Sequence, residues 1–355
     1  MKNNSLLQNT KTAGRLTTYS AISTALALLS DRHLLKLLEK STPLGASICG
    51  TTVLLNIDET PIFVKKIRLT DIERQTENMM STANLFNLPT YFQYGIGSQG
   101  FGAWRELAVH TMSTNWVLTG ECPNFPLMYH WRILPRTPHE EPTKEELIEL
   151  ETNVAFWEDS QAVRARMLAN LHASTEIVLF LEYMPENLHQ WLQKQIAQGG
   201  QVAESACIMV EKNLHTITSF INLRGLLHFD AHFWNILTDG QHLYFSDFGL
   251  AISERFELLK TEKDFFKYHH NYDRCYTMAF FVGYILLQFF GAENYDTILH
   301  EFVTGNSPKT LPPAIAEIVT RYAPMTAVMN KFHRILKTES KETPYPVDEL
   351  ERLSY

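Results

Sequence analysis

The sequence predicts an α+β protein of two lobes, in which a small β-rich lobe precedes a larger helical lobe. Its 355 residues suffice for two lobes that each bury a core. Strand-like apolar runs occupy residues 43–68, whereas apolar positions after residue 184 recur mostly at helical spacing. We therefore expect a helical extension over residues 1–40, a small lobe over 41–183 and a helical lobe over 184–355.

Composition and charge argue against several classes of protein. The formal net charge is −8 and no run of five basic residues occurs, which argues against a nucleic-acid partner. The four cysteines contain no C-x-x-C pair and are widely scattered: Cys49, Cys122, Cys207 and Cys275. This spacing is typical of reduced thiols in a cytosolic chain. We expect a cytoplasmic protein.

Two apolar segments resemble membrane-directed sequences in part. The segment "YSAISTALALL", residues 19–29, follows basic residues as a signal peptide does, but serines and a threonine interrupt its apolar run. The segment "YTMAFFVGYILLQFF", residues 276–290, is only fifteen residues long, which is short for a bilayer. We expect a soluble chain without a membrane span, and a signal peptide is the alternative interpretation of the first segment.

Local patterns predict the elements of the small lobe. The apolar spacing over residues 16–40 predicts one helix. Two apolar runs then flank "NIDETP", which predicts a strand, a turn and a second strand. Residues 135–142 contain three prolines, as a linker does, and Thr143 with Glu146 predicts a capping box at the next helix. Two segments are expected as insertions in this lobe, at about residues 70–102 and 135–175.

The stretch "LLHFDAHFWNILTDGQHLYFSDFG", residues 226–249, carries the most specific pattern. His228-x-Asp230 is followed by Asn235, by Asp239-Gly240 as the turn of a predicted hairpin, and by Asp247-Phe248-Gly249. These residue types suit phosphoryl transfer, in which one carboxylate accepts the proton of an attacking hydroxyl. A second carboxylate and an amide oxygen hold Mg²⁺.

This order of motifs resembles that of the protein-kinase-like superfamily, and the resemblance extends over most of residues 40–295. It implies a two-lobed kinase fold that uses ATP and Mg²⁺, with Asp230 as the catalytic base and Asn235 and Asp247 as the magnesium ligands. A different interpretation takes His228 and His232 as a metal-binding pair at i, i+4, which requires a helix at this place.

The resemblance also implies a strand lysine that contacts the nucleotide phosphates and a helix glutamate that pairs with it. The segment "IFVKKI" resembles the lysine strand, with Lys65 as the lysine and Lys66 as its outward neighbour. The candidates for the glutamate are Glu73, Glu77 and Glu106. We expect Glu106, because residues 124–134 resemble the strand that directly follows the pairing helix.

Two glycine-rich segments compete for the role of phosphate loop. Gly45-x-Ser47-x-x-Gly50 precedes the lysine strand, as the resemblance requires, although Ser47 replaces the middle glycine. The segment "GIGSQGFG", residues 95–102, matches the glycine pattern better but follows the lysine strand. We expect Gly45, Ser47 and Gly50 to contact the nucleotide. The later loop should instead position the Glu106 helix and lie near the mouth of the active site.

Two further positions follow from the resemblance. The segment "FLEYM" resembles the hinge, which implies that Leu181 faces the adenine pocket and that the backbones of Glu182 and Met184 bond adenine. Asp273 begins a long apolar helix. It would brace the catalytic loop by accepting backbone N–H bonds.

The chain also departs from protein kinases. Phe229 replaces the arginine of H-R-D, only 23 residues separate Gly249 from Asp273, and no A-P-E occurs. His232 makes the loop similar to that of aminoglycoside and choline phosphotransferases. We expect transfer of the ATP γ-phosphoryl group to a serine or threonine of a protein. A small-molecule hydroxyl acceptor is one alternative, and a nucleotide-binding pseudokinase scaffold is another.

Overall fold

The computed structural model describes residues 2–47, 50–136, 142–306, 308 and 310–353. The chain forms two compact units. The first unit comprises Met1–Phe92 and Gly97–Met184, and the second comprises Gln93–Ile96 and Pro185–Tyr355. Met184 belongs to the first unit, and four residues of the predicted insertion 70–102 belong to the second. Helices and strands are mixed, so the α+β class is confirmed.

An antiparallel five-stranded sheet forms the centre of the first unit. Its strands follow the order β1-β2-β3-β5-β4. The β2–β3 hairpin turns at Asp58 and Glu59, which both have positive φ angles, as in the turns that match the twist of paired strands. The strands are β1 (Thr42–Ser47), β2 (Gly50–Ile57), β3 (Thr60–Leu69), β4 (Met128–Pro135) and β5 (Thr175–Glu182).

The helices of the first unit are α1 (Lys2–Leu28), α2 (Asp31–Glu39), α3 (Ala103–Leu118), α4 (Lys144–Phe156) and α5 (Gln161–Leu171). The prediction of one helix over residues 16–40 is wrong, because the chain breaks after Leu28 and Ser30 caps α2 with its side chain. The predicted capping box of Thr143 and Glu146 is confirmed at the start of α4. Both α4 and α5 lie within the predicted insertion 135–175.

The core of the first unit lies between the sheet and α3. Trp104 and Leu107 of α3 pack against Ile67 of β3 and against Ile177 and Leu179 of β5. These side chains are all buried. The packing holds α3 against the strand that carries Lys65.

The second unit is mainly helical, and its long apolar helix α9 packs against α7 and α11. Burial of most of α9 explains its apolar sequence. The elements are β6 (Glu186–Asn187), α6 (Leu188–Gln198), α7 (Gly200–Leu223), β7 (Leu226–Leu227), β8 (Ile236–Thr238), β9 (Leu243–Phe245), β10 (Ile252–Ser253), α8 (Lys260–Tyr268), α9 (Tyr272–Phe290), α10 (Tyr295–Thr304), α11 (Pro313–Thr338) and α12 (Val347–Arg352).

The predicted hairpin over residues 235–248 is present as β8 and β9. Its turn spans four residues rather than the two of Asp239-Gly240. Asp239 Oδ1 accepts hydrogen bonds from the N–H groups of Gln241 and His242, each at 2.8 Å. The aspartate therefore organises the turn with its side chain.

The described residues bear on two expectations, one about the cysteines and one about membrane-spanning helices. Cys122, Cys207 and Cys275 are free and buried, while Cys49 lies outside the described part of the chain. Within that part, no single helix is long and apolar enough to cross a membrane. Only α9 taken together with residues 292–304 reaches the required length and composition, across a bend of 115°.

Candidate active site

Lys65 and Glu106 form a buried ion pair in the first unit. The Lys65 Nζ lies 2.6 Å from Glu106 Oε1, and the side chains are only 7% and 4% exposed. Lys65 lies opposite Leu179 in the sheet, and Glu106 lies in the first turn of α3. Burial of two charges costs free energy that their attraction often does not recover, so this pair is a candidate functional group. The expected pairing with Glu106 is therefore present, whereas Glu77 is exposed.

Glu73 has a structural role that the sequence did not reveal. Its carboxylate accepts hydrogen bonds from the N–H of Ala103 at 2.7 Å, from Thr70 Oγ1 at 2.7 Å and from Arg166 Nη1 at 2.9 Å. Burial opposes ionisation of Glu73, but Arg166 and Thr70 outweigh it and lower its pKa. Glu73 thus supplies a negative charge at the N-terminus of α3, where backbone N–H groups lack partners.

The predicted phosphate-loop residues lie on the β1–β2 hairpin. Ser47 pairs with Gly50 in register, but residues 48 and 49 and the Ser47 side chain lie outside the described part. Gly45 lies in β1 and pairs with Thr52. A Cβ atom at Gly50 would lie 1.8 Å from the Lys66 carbonyl oxygen. Glycine is therefore required at position 50 by the approach of β3.

The predicted hinge residues lie at and beyond the end of β5. The N–H of Glu182 donates to the Leu127 carbonyl oxygen at 2.8 Å, so this N–H is engaged within the sheet. Its carboxylate is held by Arg15 of α1, whose Nε and Nη2 lie 2.8 and 2.6 Å from the two oxygens. Met184 is the last residue of the first unit. The link between α1 and the hinge strand was not predicted.

Asp230 and Asn235 are joined by hydrogen bonds in the second unit. Asn235 Nδ2 donates to the carbonyl oxygen and to Oδ2 of Asp230, each at 3.0 Å. The Asn235 carbonyl oxygen in turn accepts from the N–H and Oγ of Ser246, at 3.0 and 2.8 Å. These bonds tie the catalytic-loop motif to the residue before Asp247. Both bonds to Asp230 use the amide nitrogen of Asn235. The amide oxygen is the atom of this side chain that suits a cation.

Asp273 braces this loop, as expected from the sequence. Its Oδ2 and Oδ1 accept from the backbone N–H groups of His228 and Phe229, at 2.6 and 2.9 Å. Burial raises the pKa of Asp273 to about 6, although both hydrogen bonds favour its charged form. Phe229 and Asp247 have φ angles of 64° and 59°, a left-handed conformation that is uncommon for such residues and often marks functional sites.

His228 is not part of a metal-binding pair. Its Nδ1 accepts from the N–H of Asp230 at 3.3 Å, and its Nε2 lies 3.0 Å from the Ser246 carbonyl oxygen. Burial lowers the pKa of His228 to about 4, so the ring is neutral and both nitrogens are engaged. Residues 228–232 are not helical. The interpretation of His228 and His232 as metal ligands is therefore wrong.

The side chains of Asn235 and Asp247 offer oxygen ligands of the kind that Mg²⁺ takes. Among the described residues, no group of three or more His, Cys, Asp or Glu side chains could hold a metal ion. One carboxylate and one amide oxygen suit Mg²⁺ when phosphate oxygens and water complete its coordination. The two residues therefore suit a magnesium ion carried by a nucleotide, and they do not suit a metal bound by protein side chains alone.

Residues 93–96 pack beside Asp230 within the second unit. A Cβ atom at Gly95 would lie 2.3 Å from Asp230 Oδ1 and 3.3 Å from the Phe229 carbonyl oxygen, so glycine is required there. Tyr94 is buried beside this contact, and its hydroxyl lies 2.6 Å from His269 Nε2. Tyr94 and Gly95, which both belong to the second unit, thus lie beside the predicted catalytic base.

Phe229 occupies an aromatic cluster at the position of the kinase arginine. Its ring stacks on Tyr272 at 4.5 Å and on Phe265 at 5.4 Å between centroids, and Tyr94 meets it edge-on at 6.0 Å. Phe265 belongs to α8, within the segment that follows Asp247-Phe248-Gly249. Apolar packing therefore joins this segment to the predicted catalytic loop, residues 228–235.

No protein-family model matches the chain, and a search of curated proteins found no match.

Proposed function

We propose that the protein is a phosphotransferase that moves the γ-phosphoryl group of ATP to a hydroxyl group and requires Mg²⁺. The observation that carries this proposal is the bonding around Asp230. Asn235 holds its carboxylate, Asp273 holds the preceding backbone, and Ser246 connects the loop to Asp247. The buried pair of Lys65 and Glu106 supports the same function in the first unit.

Each residue has a distinct role in this proposal. Asp230 accepts the hydroxyl proton as the hydroxyl oxygen attacks the γ-phosphorus. Lys65, oriented by Glu106, neutralises phosphate charge. Asn235 and Asp247 would hold magnesium, which when bound offsets the negative charge of the phosphates.

The hairpin and hinge residues complete the nucleotide site in this proposal. Gly45, Ser47 and Gly50 would cover the phosphates. The Glu182 carbonyl and the Met184 N–H would bond adenine.

Two kinds of acceptor are candidates. The resemblance of "VKKI" and "LEYM" to protein-kinase segments favours a serine or threonine of a protein. A small-molecule hydroxyl is the second candidate. His232 favours it, and so does a cavity in the second unit that Gly95 lines beside Asp230.

Labelled ATP tests the proposal. The purified protein is incubated with labelled ATP and Mg²⁺, together with protein or metabolite pools, and labelled products are separated. We expect transfer by the native chain and by Asp296→Asn, an exposed carboxylate on α10. Asp230→Asn should lose transfer by about 10²–10⁴-fold and still bind ATP. If the native chain binds ATP but labels no acceptor, the pseudokinase alternative is favoured instead.

A further inference from the structure

A cavity of about 410 Å³ lies within the second unit. Its size suits a small metabolite. Its walls come from α9, α11, the start of α6, the catalytic loop and residues 95–96. Tyr276, Phe280 and Tyr284 line it from one face of α9, because they recur every four residues.

Trp234 forms part of another wall. It lies four residues after Asp230 and is 51% exposed, which is unusual for so large an apolar side chain. Its ring stacks on His189 with centroids 4.1 Å apart and planes 19° apart. The stacked pair offers a flat surface, and flat aromatic surfaces favour planar apolar ligands.

The charge of the lining is positive. Among the described residues that line the cavity, Lys337 is the only Lys, Arg, Asp or Glu. His333 already donates from Nδ1 to the Met329 carbonyl and accepts from Tyr272 at Nε2, and burial lowers its pKa to about 4. Tyr295 accepts from Asn330 at 2.7 Å, so its own O–H remains as a donor. This lining favours an anion over a cation.

The cavity adjoins the predicted catalytic base. Gly95 lines the cavity, and a Cβ atom there would lie 2.3 Å from Asp230 Oδ1. The ring of Phe280, another lining residue, lies 6.3 Å from that of His232, whose Nε2 is 3.8 Å from Asp230 Oδ1. Gly95 and Phe280 therefore bring one end of the cavity close to Asp230.

We propose that this cavity binds the phosphoryl acceptor, and that the acceptor is a small aromatic hydroxy acid. Its ring lies on the aromatic walls, its carboxylate meets Lys337 and its hydroxyl meets Asp230. The hydroxyl oxygen bonds to the γ-phosphorus while the bond from that phosphorus to the β–γ bridging oxygen breaks. The hydroxyl proton passes to Asp230, and ADP leaves. This inference rests on the proposed function for its transfer step.

Binding without ATP tests the cavity separately from catalysis. Calorimetry and saturation-transfer NMR are carried out with 3-phenyllactate, mandelate and 4-hydroxymandelate, and with choline and glucose for contrast. We expect the aromatic acids to bind and the contrasting compounds not to bind. Lys337→Ala should weaken binding of the acids about tenfold, the effect of one charge-assisted hydrogen bond. Lys331→Ala, an exposed lysine of the same helix, should bind as the native chain does.

The two proposals fail in different ways. Absence of binding by all three acids, equal binding of choline, or no effect of Lys337→Ala overturns the assignment of the cavity. Transfer of label to peptides at a rate independent of Lys337 also overturns it and leaves the proposed function intact. Binding of the acids that depends on Lys337, without any transfer from ATP, contradicts the proposed function and supports the cavity as a binding site.

Discussion

Single atoms decide which residues are replaceable at the candidate site. Gly50 and Gly95 are both required by close approach, but to different groups, the Lys66 carbonyl and the Asp230 carboxylate. Lys65 and Lys66 are adjacent in sequence yet differ in surroundings. Lys65 is buried against Glu106. Lys66 Nζ lies 3.7 Å from Glu176 Oε1, and these two side chains are partly exposed. We therefore expect substitutions at these two neighbouring positions to have different effects.

Lys65→Met should reduce turnover strongly, whereas Lys66→Met should not. The first change removes a buried cation that we propose to act on the phosphates, a loss of about 10²-fold or more. The second breaks an ion pair with Glu176 whose side chains are 22% and 14% exposed, but Lys66 has no role at the phosphates in this proposal. Steady-state kinetics of both variants measures the contrast. Similar losses in the two variants would show that Lys65 has no special role.

Gly95→Ala should reduce turnover by about 10²-fold while ATP binds as before, because the new methyl group must displace Asp230. Gly50→Ala should instead weaken ATP binding, since it disturbs the β2–β3 pairing. Gly14→Ala, which has open space around its Cβ, is the control. Turnover and the ATP dissociation constant are measured for all three. Equal weakening of ATP binding at Gly50 and Gly95 would mean that both loops contact the nucleotide.

Elements are held in place by strand pairing, apolar packing and ion pairs. The segment after Asp247-Phe248-Gly249 pairs through β10 with β7, and α8 packs its Phe265 on Phe229. Neither contact requires a phosphate. In the first unit, α1 is attached to the sheet by the two bonds of Arg15 to Glu182.

Activity should not depend on phosphorylation of residues 250–272. Phe229 cannot donate a hydrogen bond to a phosphate, so a phosphate on the exposed Thr261 would find no arginine at that position. Phosphatase treatment of the purified protein, followed by the labelled-ATP assay, measures this. Loss of activity after treatment would contradict the expectation.

Arg15→Ala should lower the free energy of unfolding by about 3 kcal/mol, because it leaves the Glu182 carboxylate poorly paired. The two side chains are only 10% and 12% exposed. Arg164→Ala breaks the exposed pair with Glu151 and should leave the free energy of unfolding close to that of the native chain. Urea unfolding compares the two variants. Equal stability would show that α1 contributes little through Arg15.

The whole molecule carries buried histidines that make its stability depend on pH. Burial lowers the pKa of His228, of His269 and of His333 to about 4. The unfolded chain therefore binds more protons than the folded chain below pH ~6.5. The contribution of the neutral histidines to the free energy of unfolding is therefore complete above pH ~6.5 and is lost as the pH falls toward 4. Asp273 acts in the opposite direction, since its pKa is raised to about 6 and its contribution is lost as the pH rises through that value.

We expect the free energy of unfolding to fall between pH 7 and pH 4.5, because three histidines outweigh one aspartate. Urea titrations across this range measure it. His333→Gln should flatten the dependence by removing one group whose pKa burial lowers to about 4. A free energy that is constant or rises on acidification would contradict this reasoning.

The sequence by itself determined the features that depend on neighbouring residues. The strand-turn-strand around "NIDETP", the Thr143 capping box, the hairpin and the residues from His228 to Asp247 are local patterns, set by backbone geometry over a few positions. Only the tertiary structure decided which groups meet across long separations. The resemblance had pointed to the pairs of Lys65 with Glu106 and of Asp273 with His228. It did not point to Arg15 with Glu182, which lie 167 residues apart, or to Glu73 with Arg166, which lie 93 apart. Periodicity shows which face of an element is apolar but not which distant side chain it meets. The role of Glu73, the contact of Gly95 with Asp230 and the aromatic cavity therefore became visible only when the chain was folded.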